Sequence, residues 1–148
     1  TFAEKSEIQE TFRRRQTDFE NFRKRTDRER SEIFRSVISN LAIKILPVVD
    51  NLNRALDSSE NPSMEKSPDF QHFIDGVQLV NHQLNVVLEE MGIQPILAVG
   101  QPFDPHFHEA VATVPTAELP PNTVIEELLR GYRIDDKVIR ASMVKVSS

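Results

Sequence analysis

The first 46 residues contain neither proline nor glycine and are rich in Glu, Arg, Lys and Gln, so nothing in them interrupts a helix and most of them favour one. Steps of alternately four and three residues from Ile8 reach Phe12, Arg15, Phe19, Phe22, Thr26, Glu29 and Ile33, and five of these eight positions are apolar. A stripe with that period is narrow, and a lone helix cannot bury it, so the pattern calls for a second helix alongside. No second stripe of the kind follows, which makes another copy of the chain the simplest partner. Beyond Ile33 the spacing changes to Val37 and Leu41, two steps of four, the mark of a stutter that locally straightens a supercoil. Fully helical, the stretch would reach about 70 Å at about 1.5 Å per residue.

Leu46-Pro47-Val48 ends this freedom. Proline lacks a backbone donor and crowds the preceding turn, so the helix is expected to kink or restart there. Val48, Val49, Leu52, Ala55 and Leu56 follow at helical spacing as far as Ser58-Ser59, and a polar loop runs through Asn61-Pro62 to Ser67. Ser67-Pro68-Asp69 then predicts a helix start, with Ser67 as cap, Pro68 in the first turn and an acid beside the positive end of the helix dipole. Phe70, Phe73, Ile74, Val77, Val80, Leu84, Val87, Leu88 and Met91 share one broad face before Gly92 closes the helix. Gly76, inside it, costs about 1 kcal/mol relative to alanine, which predicts a close helix contact. Two helices joined by a loop cannot enclose a core, whereas two such hairpins make a four-helix bundle.

After Gly92 the pattern changes. Pro95, Gly100, Pro102, Pro105, Pro115, Pro120 and Pro121 divide the chain into short pieces of strand composition: 96–99, 110–114, 124–129 and 138–146. In the last piece Val138, Arg140, Ser142, Val144 and Val146 alternate with Ile139, Ala141, Met143 and Lys145, the period of a strand. The fold class expected is therefore α+β: a long paired coiled-coil helix over 1–40, a helical hairpin over 41–92 forming half of a dimeric four-helix bundle, and a small C-terminal β domain over 93–148.

Charge separates the same regions. Residues 1–36 hold ten Lys or Arg against eight Asp or Glu, whereas 37–148 hold eight against fifteen. The basic run from Arg13 to Arg30 is interleaved with Asp18, Glu20, Asp27 and Glu29, which suits a solvated or partner-binding helix face better than nucleic acid. Cysteine is absent, which removes disulfides and thiolate metal sites and is compatible with a reducing compartment. No apolar run nears the roughly 18 residues of a membrane span, and no secretion signal opens the chain, so a soluble intracellular protein without membrane contact is expected, in a cytoplasm or in an organellar matrix or stroma. His106, His108 and Glu109 lie close in sequence, but a metal needs further convergent ligands, and turn and packing roles account for them. The four glycines, at 76, 92, 100 and 131, make no phosphate-cradling pattern, so no direct nucleotide binding and no cofactor is expected.

Several spaced motifs together resemble one family. Phe103-Asp104-Pro105, His108 and Ala110-Val111, then Gly131-Tyr132, Asp136, Ile139-Arg140, Ser142, Val144 and Val146, are similar to the C-terminal signature of the GrpE family. Glu20-Asn21-Phe22-Arg23-Lys24-Arg25 resembles its basic helix motif, Leu46-Pro47-Val48-Val49-Asp50-Asn51-Leu52 with Arg54-Ala55-Leu56 resembles the start of its bundle, and Gly76 sits where its members carry a helical glycine. The resemblance implies a homodimeric co-chaperone with a long paired helix, a four-helix bundle and β wings. One wing would engage the nucleotide-binding domain of a DnaK-type heat-shock chaperone, open its cleft and release ADP; no covalent chemistry is implied. By position in the family patterns, Arg23, Lys24, Phe103, Leu128, Lys137 and Val146 are expected to touch the chaperone. Asp104, Pro105, His108, Gly131, Tyr132 and Arg140 are expected to hold the wing in shape. Ile8, Phe12, Phe19, Phe22, Ile33, Leu52, Phe73, Val77 and Leu84 are expected in the dimer seam and bundle. The competing expectation is a structural coiled-coil scaffold with a passive β cap.

Overall fold

A computed structural model describes residues 1–148. Helix α1 runs from Phe2 to Ser59, and helix α2 from Pro68 to Glu90. Six strands follow: β1 (Ile93–Pro95), β2 (His108–Val114), β3 (Val124–Leu129), β4 (Tyr132–Ile134), β5 (Lys137–Arg140) and β6 (Ser142–Ser147). The chain divides into two compact units, Thr1–Ile38 and Ser39–Ser148.

The first unit is helix alone. Ile8, Phe12, Phe19, Phe22 and Ile33 are all exposed in it, so the stripe of period 3.5 finds no cover within the unit. The polar side chains between them make weak local contacts one turn apart, Arg14 to Glu10 at 3.7 Å and Arg25 to Glu29 at 4.0 Å. Such exposed pairs contribute a few tenths of a kcal/mol.

In the second unit the helix does not restart at Pro47: α1 passes through it. Proline leaves the carbonyl of Ile43, four residues back, without its helical donor, but both residues are on the exposed side of the helix, where water can serve it. The opposite side carries Ser39, Ala42, Leu46 and Val49, all buried at steps of three and four. Burial of that face offsets the roughly 3 kcal/mol a mid-helix proline costs. Helix α2 begins as its sequence predicts. The Ser67 hydroxyl accepts the N–H of Phe70 at 3.1 Å, Pro68 stands in the first turn, and Gly92 follows the C-cap at φ +85°. The broad apolar face of α2 is split: Phe70, Ile74, Val77, Leu84 and Met91 are half-buried and Leu88 is buried, while Phe73, Val80 and Val87 stay exposed. A Cβ at Gly76 would meet nothing within 4 Å, so the close helix contact expected there is not made within one copy of the chain.

The strands form two sheets of three, ordered β1-β4-β5 and β2-β6-β3. β6 is central to the second, parallel to β2 and antiparallel to β3. The single strand expected over 138–146 is two strands in different sheets, divided at Ala141. The alternation survives on the far side, with Ser142, Val144 and Val146 buried and Met143 and Lys145 half-buried. Period two reports which face a side chain takes, not which neighbour the backbone pairs with, so a change of sheet leaves it intact. Two further corrections concern strand ends: β2 starts at His108 rather than Ala110, and the first strand is 93–95 rather than 96–99. Ile96 and Ala98 are buried and Leu97 and Val99 exposed, but the Ile96 N–H goes to the Gly131 carbonyl and the Gly100 N–H to that of Val124, outside any ladder.

Gly131 makes the change of sheet possible. A Cβ there would lie 2.6 Å from Ser142 Oγ and 2.8 Å from the Ala141 carbonyl carbon, so only glycine fits against the crossing chain. Its N–H donates to Ser142 Oγ at 3.0 Å, which ties the start of β4 to the start of β6. Ala98, Val124, Val144 and Val146 form the core beneath the second sheet, with Phe103 packed on it.

Candidate partner-binding surface

Phe103 is placed by backbone pairing. Its N–H donates to the Asn122 carbonyl at 2.8 Å, and the Val124 N–H reaches the Gln101 carbonyl at 2.9 Å, so residues 101–103 run beside the entry to β3. Asn122 stands at φ 59°, a left-handed conformation that Asn tolerates better than most side chains. The Phe103 ring is half-buried between the apolar core and a cleft of about 470 Å³ that Leu97, Phe107, His108 and Arg133 also line. Arg133 lies over the Phe107 ring at 5.9 Å.

The turn that carries Phe103 is held by Asp104, Pro105 and His108. Asp104 Oδ1 accepts the N–H of His106 at 2.9 Å, and its carbonyl accepts those of Phe107 and His108. Both ring nitrogens of His108 are engaged. The Asp104 N–H can only donate, so Nδ1 accepts at 3.1 Å; the Leu97 carbonyl can only accept, so Nε2 carries the proton and donates at 2.8 Å. A histidine bound at both nitrogens by backbone has none left for a metal, and no three His, Cys, Asp or Glu side chains converge elsewhere.

The other residues named for partner contact are distributed differently. Leu128 is 47% exposed on β3, at the rim of a polar groove of about 520 Å³ lined by Asp50, Asn53, Arg54, Asn81, Glu127 and Arg130. Lys137 is exposed at the head of β5, after the two-residue turn Asp135-Asp136 in which Asp135 takes φ 50°. Arg23 and Lys24 are exposed in the first unit. Val146 requires correction: at 5% exposure it belongs to the core under Phe103 and offers a partner shape from beneath rather than a surface of its own. Phe103 and Val146 are thus brought together, whereas Leu128 and Lys137 lie on different sheets. Of the seam and bundle residues, Ile8, Phe12, Phe19, Phe22, Ile33 and Phe73 are exposed and Leu52, Val77 and Leu84 half-buried.

Tyr132 and Arg140 face each other across β4 and β5. The ring is 2% exposed, with the Arg140 guanidinium 5.5 Å from its centroid. Burial raises the Tyr132 hydroxyl above its ordinary value of 10.0, against the opposing pull of Arg130 and Arg140. Arg140 donates through two nitrogens to the two carboxylate oxygens of Asp50, each at 2.6 Å, and through Nε to the Arg130 carbonyl at 2.8 Å. Asp50 was not assigned a role by sequence reasoning. Its signal is its place in Leu46-Pro47-Val48-Val49-Asp50, four residues after Leu46 and so on the same side of α1 as that buried leucine.

Two long helices, the first with an uncovered apolar stripe, followed by a small two-sheet region define a class of α+β protein. Within that class the chain belongs to the GrpE family, whose family model matches residues 1–148. It is 41% identical over 145 residues to Protein GrpE of Parageobacillus thermoglucosidasius, covering 98% of this chain and 62% of the relative. It is 45% identical over 130 residues to Protein GrpE of Carboxydothermus hydrogenoformans, covering 88% and 63%. Protein GrpE of Brucella melitensis is 37% identical over 145 residues, covering 98% and 64%. The chain therefore spans less than two thirds of the length of these curated relatives. No helix is long and apolar enough to cross a membrane.

Proposed function

We propose that the chain is a homodimeric co-chaperone of the cytoplasm, an adenyl-nucleotide exchange factor that binds the nucleotide-binding domain of a DnaK-type chaperone, opens its cleft and promotes ADP release. The observation that carries this reading is family membership over the full 148 residues, with the motif residues of helix, bundle and sheets in order. The uncovered stripe of α1 and the exposed half of the α2 face support pairing with a second copy, as a coiled coil and a dimeric four-helix bundle.

The chain acts as a shaped surface without covalent chemistry. Without a phosphate-cradling loop of its own, such a protein can drive nucleotide out only by binding the open, nucleotide-poor state of its partner more tightly than the closed one. By reciprocity, nucleotide then weakens the complex. Arg23 and Lys24 supply charge on the helix; Phe103, Leu128 and Lys137 supply contact on the sheets, with Val146 supporting Phe103 from below.

The test is release of a fluorescent ADP analogue from a purified DnaK-type ATPase domain with and without this chain. Acceleration is expected. Leu128→Ala should weaken it by about 1 to 3 kcal/mol of binding without altering dimerisation. A chain that dimerises and leaves release unchanged would favour the scaffold with a passive β cap.

A further inference from the structure

The contact between Asp50 and Arg140 joins residues 90 positions apart, from the last quarter of α1 to the end of β5. Its two side chains are only 17% and 20% exposed, unlike Arg14 with Glu10 or Arg25 with Glu29, which are local and mostly in water. Arg140 uses all three guanidinium nitrogens: two on Asp50 and Nε on the Arg130 carbonyl. A fork bound on both prongs fixes a plane as well as a distance, which a single charge contact cannot do. The same side chain lies on the buried Tyr132 ring. One residue beyond Arg140 the chain leaves the first sheet at Ala141 and enters the second, at the place where Gly131 admits no side chain. Helix, first sheet and sheet crossing therefore meet at one guanidinium.

We infer that Asp50 and Arg140 are positioning residues: their forked pair fixes the angle at which the six-stranded region stands on the 39–59 part of α1, and nucleotide exchange depends on that angle. The second half of this inference rests on the exchange reading above. An exchange factor must meet an open partner with several surfaces at once, and surfaces already held in register avoid an ordering cost on binding. If the pair is loosened, Phe103, Leu128 and Lys137 remain intact on their strands but lose their fixed relation to the 39–59 part of α1. First encounter needs any one surface and survives, whereas stabilising the open state needs them together.

Arg140→Lys keeps the charge and removes the fork; Asp50→Asn keeps the shape and removes the charge. The chain has no cysteine, so Asp57→Cys on α1 and Glu109→Cys on β2, both exposed positions, accept spin labels cleanly. Pulsed electron resonance on labelled dimer diluted into unlabelled chain should give a narrow distance distribution for the parent and a broadened one for each variant, with helical circular dichroism unchanged. Tyr132 is the single tyrosine and there is no tryptophan, so its emission reports this joint alone and should become more accessible to acrylamide in both variants. In the ADP-release assay the maximal acceleration should fall about tenfold while the concentration giving half the effect moves less than about threefold. Unchanged distance distributions in both variants would overturn the joint. Broadened distributions with undiminished exchange would overturn its role in function. If the parent chain itself fails to accelerate release, the exchange reading is what fails, and the distance distributions alone decide whether the pair sets the angle.

Discussion

Residues Thr1–Ile38 and Ser39–Ser148 differ in where their apolar side chains find cover. In the second unit Leu46, Val49, Val124 and Val144 are out of reach of solvent within one chain; in the first, Ile8, Phe12, Phe19, Phe22 and Ile33 are all exposed. Burying one such side chain is worth about 1.5 to 3 kcal/mol, so the first unit leaves most of its available stabilisation unrealised as a single chain. The contrast separates two properties that helical periodicity runs together: the ability to form a helix, which both units have, and the ability to bury apolar side chains within one chain, which only the second has.

The contrast breaks most visibly at the phenylalanines. Phe12→Ala and Phe19→Ala remove side chains that touch little within the unit, yet each should cost the dimer about 3 kcal/mol if a second copy covers the stripe. Sedimentation equilibrium across a dilution series measures this, and an unchanged dissociation constant would return those rings to solvent. In the second unit the corresponding change is Gly131→Ala. Its Cβ would strike backbone at Ala141 and Ser142, and overpacking of that kind costs about 1 to 3 kcal/mol. Denaturant unfolding followed through Tyr132 emission should show the loss, with no change in self-association.

Gly76 tests the border between the two behaviours. It lies three residues from Phe73 and four from Val80, on the exposed side of α2, and a Cβ there meets nothing in the chain. In water Gly76→Ala would stabilise the helix by about 1 kcal/mol. Under the dimeric bundle we expect the reverse, a lower and more concentration-dependent melting temperature, because the uncovered face receives a neighbouring helix. The smallest effect concerns Tyr132. Its folded-state value lies above the unfolded 10.0, so the neutral hydroxyl's contribution to stability is whole below that pH and is lost as pH rises through the folded-state value. Phenolate absorbance should show one late transition, returning toward 10.0 on unfolding.

Much of this architecture could be read from residue spacing, and the misreadings share a cause. The Ile8-to-Ile33 stripe, the Ser67 cap and the alternation through Ser142, Val144 and Val146 depend on local periodicity or on one side chain and its nearest backbone, so they were legible. Pro47 does not restart the helix because a proline's cost depends on which side of the helix faces water, and that is decided by the burial of Leu46 and Val49. The division at Ala141 was hidden because alternation continues across a change of sheet. Among the residues expected to touch the chaperone, Leu128 and Lys137 are exposed, whereas Val146 lies in the core beneath Phe103. Asp50 drew no role because its partner lies 90 residues away, a distance at which no periodicity carries information.

The central claim is the proposed pairing of the chain with itself, which would cover the helix stripe and the exposed half of the α2 face. Light scattering after size exclusion at micromolar concentration measures this directly. The account predicts a mass twice the 17.0 kDa of the chain, eluting early for that mass; a particle of 17.0 kDa at the same concentration would contradict it.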